Sequence, residues 1–306
     1  MIAGLVASLI LAAMLGAERF SVFDLNDQQR SILFDIRLPR ILLGACVGAS
    51  LAVAGAGLQA LLRNPLAEPY LLGVSNGAAL GTMLAFVLFD SFEIARPLLA
   101  FAGAGLATIA VYRMARSRAG MNVERLVLSG VVVTTFLSSV IVMLTTLLDA
   151  ARLRSFTFWL LGDLSQGSWS GVYLSAGAVI LGTLIIASQA RALNLMMIGE
   201  RDALDFGVEV GRVRLLVFGA ASLVVGAAVA ASGSVGYVGL IVPHLIRLTT
   251  GSDNRMVVPF SAVAGAVFVV LADTLARTAI APRELPVGAV TALIGAPMFI
   301  YLLRRS

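Results

Sequence analysis

LLRNPLAEPYLLGVSNGAALG, residues 61–81, sets two prolines, an Arg and a Glu between long apolar runs and then spells Gly73-Val-Ser-Asn-Gly77. Two folds compete for it. The pentapeptide matches the G-x-S-x-G elbow of a serine hydrolase, which needs a strand before the Ser, a His as base and an acid to orient that His. Ser75 instead heads an apolar run with no strand before it, and the chain has one His, His244. Glycines spaced four apart, Gly73, Gly77 and Gly81, suit helices packed closely inside a membrane. The prolines fit this second reading. Asn64-Pro65 and Glu68-Pro69 push their preceding residues out of helical geometry, so one helix ends and the next starts near Pro69.

The rest of the chain supports a membrane fold. Its 306 residues are 59% hydrophobic and 13% charged, with a mean hydropathy of +0.97. An isolated span needs ~20 apolar residues rising about 1.5 Å each, and Ile41–Leu62, Pro69–Phe89 and Leu126–Leu148 are uncharged runs of that order. None alternates as a barrel strand would. The expected class is therefore all-α and polytopic, one transmembrane domain over 1–306 with about ten spans. These fall near 2–17, 41–62, 70–89, 97–113, 126–148, 169–190, 213–232, 234–249, 257–276 and 286–303. Between Leu215 and Ile246 there is no Asp, Glu or Arg, and the stretch is long for one crossing. Gly233-Ser-Val-Gly-Tyr-Val-Gly239 and then Pro243 are read as breaks, giving a full helix followed by a shorter or interrupted one.

A faint internal echo joins Arg40 and its small-residue helix, leading to Asn64-Pro65, with Arg214 and a similar helix, leading to Val242-Pro243. It suggests inverted repeats at about 37–150 and 212–306, a transporter architecture.

All basic residues are Arg, and the net charge is +5. No basic run is flanked by aromatics, so the charge bears on topology and not on nucleic acid. With both termini on the cytoplasmic side, Arg63, Arg113, Arg118, Arg201, Arg304 and Arg305 join the inner majority, while Arg37 and Arg40 fall outside against the rule. The apolar N-terminus lacks the positive region of a secretory signal and reads as a first short helix. The single cysteine, Cys46, excludes an internal disulfide and a Cys-rich metal site. His244 reads as a packed residue, and Asp149 and Asp273, near span ends, as caps or ion-pair partners.

Residues 190–214 form the most polar long segment, with acids at 200, 202, 205 and 209 set against arginines and an apolar set that includes Leu193 and Phe206. Such a pattern suits short amphipathic helices on the membrane face, broken at Gly199 and Gly207, and offers a docking surface to a partner. Arg37, Arg40 and Arg277, on one outer rim, either snorkel or receive carboxylates of an external protein.

RLPR at 37–40, LQALLRNPLAEPYLLGVSNGAALG at 58–81, GERDALDFGVEVGR at 199–212, GYVGLIVPHLIRL at 236–248 and ELPVGAVTALIGAPMFIYLL at 284–303 together resemble the FecCD-type permease subunit of ATP-driven importers for iron–siderophore, haem and vitamin B12. The resemblance runs from about residue 35 to the C-terminus. It implies ten helices per subunit and a homodimer in the bacterial cytoplasmic membrane. It also implies two ATPase subunits, which carry the ATP and Mg, and a periplasmic or lipid-anchored substrate-binding protein. The chain itself then holds no cofactor, no metal and no catalytic residue, and binds no nucleic acid. Arg37, Arg40 and Arg277 match the arginines that receive the binding protein. Leu193, Gly199, Glu200, Ala203, Gly207 and Glu209, within the segment 190–212, match the coupling helices seated on the ATPase. Asn64 and Leu66 match a cytoplasmic gate, and Asn122, Val123 and Glu124 a second gate loop. No G-x-x-x-x-G-K-[ST] motif occurs in the chain, so ATP is left to a partner. The rival readings are a stand-alone ion-coupled carrier, which wants acids at mid-span, and an intramembrane hydrolase at Ser75.

Overall fold

One helix, α2, organises the molecule. It runs unbroken from Asp27 to Leu62, 36 residues or about 54 Å at 1.5 Å per residue. The computed structural model describes residues 1–16, 26–89, 95–117 and 120–303; Ala17 of the first expected span, and Arg118, Arg304 and Arg305 of the topology argument, lie outside the described residues. Helix α1 is Ile2–Met14, and after α2 come α3 (Val74–Leu88), α4 (Ala95–Ala115) and α5 (Val123–Thr145). Then follow α6 (Ala150–Leu160), α7 (Trp169–Ser188), α8 (Ala190–Ile198) and α9 (Glu200–Asp205). The chain continues through α10 (Val210–Ser232), α11 (Val238–Thr250), α12 (Asn254–Thr278) and α13 (Val287–Leu303). A two-residue antiparallel pairing, Arg116–Ser117 with Gly120–Met121, closes the turn between α4 and α5.

Among the described residues six helices, α2, α4, α5, α7, α10 and α12, are long and apolar enough to cross a membrane; α1, α3, α11 and α13 are shorter apolar helices. These ten fall on the ten expected spans. In its most apolar window α2 is 78% buried, against 22% for α5, so α2 is the pillar and α5 faces outward. Helices α7, α10, α11 and α12 pack around α2, and α3 packs on α4. Small residues let the backbones meet. A Cβ on Gly48 would overlap the Gly265 carbonyl of α12, and one on Gly55 the Gly239 carbonyl of α11. Gly77 packs against Gly103 in the same way, the packing use expected for GVSNG.

The expected start of the second span at Ile41 is corrected. Asn26 caps α2 with a reciprocal pair: its side chain accepts from Gln29 N at 2.8 Å, and its own N–H reaches Gln29 Oε1 at 3.2 Å. Residues Ile32–Arg37 are wound as a π-helix, in which the Leu38 N–H reaches the Leu33 carbonyl five residues back. Pro39 has no N–H to offer the next carbonyl, Phe34, and the Trp169 indole donates to it at 3.2 Å. Arg37 and Arg40 therefore lie inside the helix and not before it.

The second correction concerns Pro243. The break after α10 lies at 233–237, where Gly233 has φ 67° and Tyr237 φ 69°, and Pro243 sits within α11. A proline there strands the carbonyl four residues back, that of Gly239. Gln59 Nε2 of α2 donates to it at 3.3 Å and to the Leu240 carbonyl at 3.0 Å. The helix survives because its neighbour supplies the missing donor.

Between the fifth and sixth expected spans lies α6, which the hydropathy did not show. Asp149 caps it, accepting from Arg152 N at 2.9 Å, and Arg152 in turn donates to the Phe86 carbonyl in the last turn of α3.

Candidate functional site

Helix α12 carries polar clusters at both ends. Asn254 begins it and Arg277 stands one residue before its end, about 35 Å away at 1.5 Å per residue. That separation exceeds the ~30 Å of a hydrocarbon core.

At the C-terminal end the three arginines of the sequence reading converge. The Arg40 guanidinium straddles the Asp273 carboxylate, Nε at 3.1 Å from both oxygens and Nη2 at 2.9 Å from Oδ1, while Nη1 reaches Glu284 Oε2 at 2.8 Å. Arg277, one turn on from Asp273, places Nε 3.7 Å from Oδ2 and donates through Nη2 to the Ala12 carbonyl. Arg37 donates through Nη1 to the Ala13 carbonyl at 2.9 Å. Ala12 and Ala13 lie in the last turn of α1, where carbonyls lack helical partners and the helix dipole is negative, so two cations cap α1 from outside the helix. Residue exposures are 6% for Arg37, 9% for Arg40 and 6% for Arg277. The structure places these three residues together, but not as an open rim: each guanidinium is engaged within the chain. Among the described residues it is Glu284, its side chain 47% exposed, that brings the network to the surface. Beside it a cavity of about 140 Å³ is lined by Arg40, Asp163, Ser165, Asp273 and Glu284 among others. Asp273 pairs, and Asp149 caps and pairs, as expected.

At the N-terminal end of α12 lie the amphipathic pair and the two loops singled out by sequence. Helices α8 and α9 break at Gly199, and Gly207 adopts φ 78° just past α9, as anticipated. Leu193 and Ala203 are wholly buried, whereas Ile198, Leu204 and Phe206 are 76%, 55% and 75% exposed, an apolar face turned away from the core. Glu200 pairs with Arg214 at 2.8 Å; Glu209, at the head of α10, pairs loosely with Arg212 at 3.6 Å in the open.

Asn64 and Leu66 form an exposed turn after α2, which ends at Arg63 in the left-handed region, φ 49°. Asn64 Oδ1 accepts from Leu66 N at 2.9 Å. The chain then folds back along the bundle: Glu68 Oε1 accepts from Tyr237 N at 3.0 Å, and the Tyr70 hydroxyl donates to the Val235 carbonyl while accepting from its N–H, both at 2.9 Å. The first loop is thus pinned to the break at 233–237. Asn122 caps α5 by accepting from Arg125 N at 3.0 Å, with Val123 and Glu124 in the first turn.

Sequence reasoning missed a buried polar knot beneath α8. Asn254, fully buried, receives Arg247 Nη2 on its Oδ1 at 3.0 Å and donates through N and Nδ2 to Asn194 Oδ1 at 2.9 and 2.8 Å. Asn194 donates to Asp253 Oδ1 at 2.6 Å, and Arg247 also reaches the Ala56 carbonyl of α2 at 3.1 Å. The signal was present in the polar SDN at 252–254. Asp253 is held down to about 2, chiefly by the Arg255 backbone N–H, then by the side chains of Asn194 and Arg255.

The hydrolase reading finds no support in the geometry. The Ser75 hydroxyl donates to Ser234 Oγ at 3.3 Å, and His244 lies on α11 one turn before Arg247. Among the described residues no group of His, Cys, Asp or Glu is placed to hold a metal ion.

The chain matches the FecCD transport family over residues 4–305. It is 44% identical over 282 residues to the cobalamin import system permease protein BtuC of Halobacterium salinarum, covering 92% of this chain and 76% of that one. It is 42% identical over 290 residues to the hemin transport system permease protein HmuU of Yersinia pestis, covering 92% and 85%. The iron(3+)-hydroxamate import system permease protein FhuB of Bacillus subtilis is 40% identical over 277 residues, 90% of this chain and 72% of that one. A solved ABC transporter assigned to the metal-chelate type, in an inward-facing conformation, superposes with a TM-score of 0.92 at 32% identity, covering 100% of this chain and 97% of that one. The chain belongs to the FecCD transport family: it is a multi-pass permease subunit of an ABC importer, and ATP is hydrolysed by a separate subunit.

Proposed function

We propose that this permease moves a metal chelate inward across the bacterial cytoplasmic membrane, as a homodimer carrying two ATPase subunits on the α8–α9 face and receiving a periplasmic or lipid-anchored binding protein at the arginine end. Both termini then lie in the cytoplasm. The observation that carries this reading is that the two polar clusters stand at opposite ends of α12, separated by about the thickness of a bilayer. The exposed Ile198, Leu204 and Phe206 give an ATPase an apolar surface to grip. Glu284, half exposed on Arg40 beside the cavity, marks where carboxylates of a binding protein would compete for a guanidinium. The turn at Asn64 and Leu66 and the loop at Asn122, Val123 and Glu124 act as inner gates, opened in alternation with the outer side as rigid units rock.

The relatives named for cobalamin, hemin and iron(3+)-hydroxamate share a chelated metal as cargo, and we place a ferric siderophore first, vitamin B12 next and haem third. The test is uptake into proteoliposomes holding the permease with its ATPase, loaded binding protein outside and ATP inside, with each chelate in turn. Uptake is expected to need all three proteins. Movement of any chelate by the permease alone would overturn the reading. Arg40→Gln, checked for a monodisperse fold, is expected to weaken stimulation of the ATPase by the binding protein by about tenfold, the loss of one charge-assisted contact; unchanged stimulation removes the docking assignment.

A further inference from the structure

Two arginines within the stretch Val210-Gly-Arg-Val-Arg214 are put to different uses. Arg212 stands in the open, its side chain 73% exposed, against an equally exposed Glu209. Arg214 has turned inward, with its side chain 13% exposed. Its Nη2 meets Glu200 Oε2 of α9 at 2.8 Å, and its Nη1 donates to the Met121 carbonyl at 3.0 Å. Met121 is itself buried and immediately precedes Asn122, the cap of α5. One planar group on α10 therefore holds both the amphipathic pair and the loop at 120–124. The guanidinium fork is rigid, so its two terminal nitrogens cannot move independently. The third nitrogen, Nε, is buried without a hydrogen-bond partner among the described residues. A buried donor left over marks an arginine that is not fully satisfied in this conformation.

We propose that Arg214 is the positioning residue that passes a displacement of α9 to the loop at 120–124, so that ATPase movement opens or closes that loop. This rests on the reading above, that α8 and α9 seat the ATPase and that residues 122–124 gate the path. By contrast, the knot around Asn254 ties α8 to α2, α11 and α12, the pillar side of the bundle. The amphipathic pair is thus anchored at α8 and linked through Arg214 at α9. Motion delivered to the exposed Phe206 side would tilt α9 about that anchor, and the loop at 120–124 is where the fork carries it.

The experiment uses the complete transporter in proteoliposomes, with Cys46→Ser, a reporter Asn122→Cys labelled by a membrane-permeant maleimide, and Phe206→Cys to cross-link the ATPase. In the parent, the labelling rate at position 122 is expected to change between nucleotide-free and vanadate-trapped states. Arg214→Lys, which keeps the charge and loses the fork, is expected to abolish that change and lower uptake about tenfold, while ATP hydrolysis stays within about twofold. Glu200→Gln tests the same link from α9 without touching α10, and serves if the Arg214 variant does not assemble. The proposal is overturned if the nucleotide-dependent change in labelling persists in both variants, or if uptake, hydrolysis and thermal stability all fall together as for a merely structural strut. Absence of the Phe206 cross-link, or of any nucleotide effect on labelling in the parent, instead overturns the reading beneath it.

Discussion

The two ends of α12 use arginine in opposite ways. At the C-terminal end Arg40 and Arg277 hold Asp273, Arg37 and Arg277 cap α1, and nearly all the surface of the three is spent inside the chain. At the N-terminal end Arg214 and Arg247 reach between separate elements, each bridging a helix to a loop or a neighbouring backbone. An ionic group in a membrane protein must be paired or hydrogen-bonded. Which partner it finds decides whether it fixes the fold or joins movable parts. The first cluster is a lock; at the second end the knot at Arg247 is an anchor and Arg214 the joint.

The largest effect should follow from opening the lock. Asp273→Ala leaves two buried guanidiniums without their carboxylate and is expected to cost about 3–5 kcal/mol, read as a fall in the thermal midpoint of the detergent-solubilised protein; a change under about 1 kcal/mol would mean the cluster is hydrated and dispensable. Asn254→Ala removes the centre of the knot, leaving Arg247 and Asn194 short of partners, for an expected loss of about 1–3 kcal/mol by the same measurement. If it matched Asp273→Ala, the anchor would be as firm as the lock and the two ends would not differ in strength. Gln59→Leu keeps the volume but leaves the Gly239 carbonyl of α11 without a donor, with about 1–2 kcal/mol expected and faster hydrogen exchange confined to α11.

A smaller, pH-dependent effect belongs to Asp253. Its fold-depressed value near 2, against an ordinary 3.8, means that the native state prefers the ionised carboxylate. Its contribution is complete above the ordinary value and fades as pH falls towards about 2. The difference in melting temperature between the native chain and Asp253→Asn should be constant above about pH 5 and narrow below pH 4. Smallest of all, Glu209→Gln breaks only the exposed pair with Arg212 and should stay within about 0.5 kcal/mol.

The spans were legible because hydropathy is a property of consecutive residues, and the pair α8 and α9 because Gly199 and Gly207 punctuate an amphipathic pattern. What misled was compensation from afar. Pro243 reads locally as a break, and nothing near it in sequence reveals that Gln59, 180 positions from the Gly239 carbonyl it serves, replaces the missing donor. The second span likewise reads as starting at Ile41 until the Trp169 indole is seen on the Phe34 carbonyl, inside a helix that runs on through Pro39. The arginines at 37, 40 and 277 were expected on one rim, yet their burial depended on Asp273 meeting Arg40 across 233 positions. Helix α6 is short and was hidden by its mixed composition, although Asp149 announced its cap.

The bond from Gln59 to the carbonyls beside Pro243 has a consequence for transport. Helices α2 and α11 cannot slide past one another by a turn without stripping those carbonyls of their donor in a medium that offers no water to replace it. Alternation between inward and outward access must therefore shear along some other seam, with this pair riding as one piece.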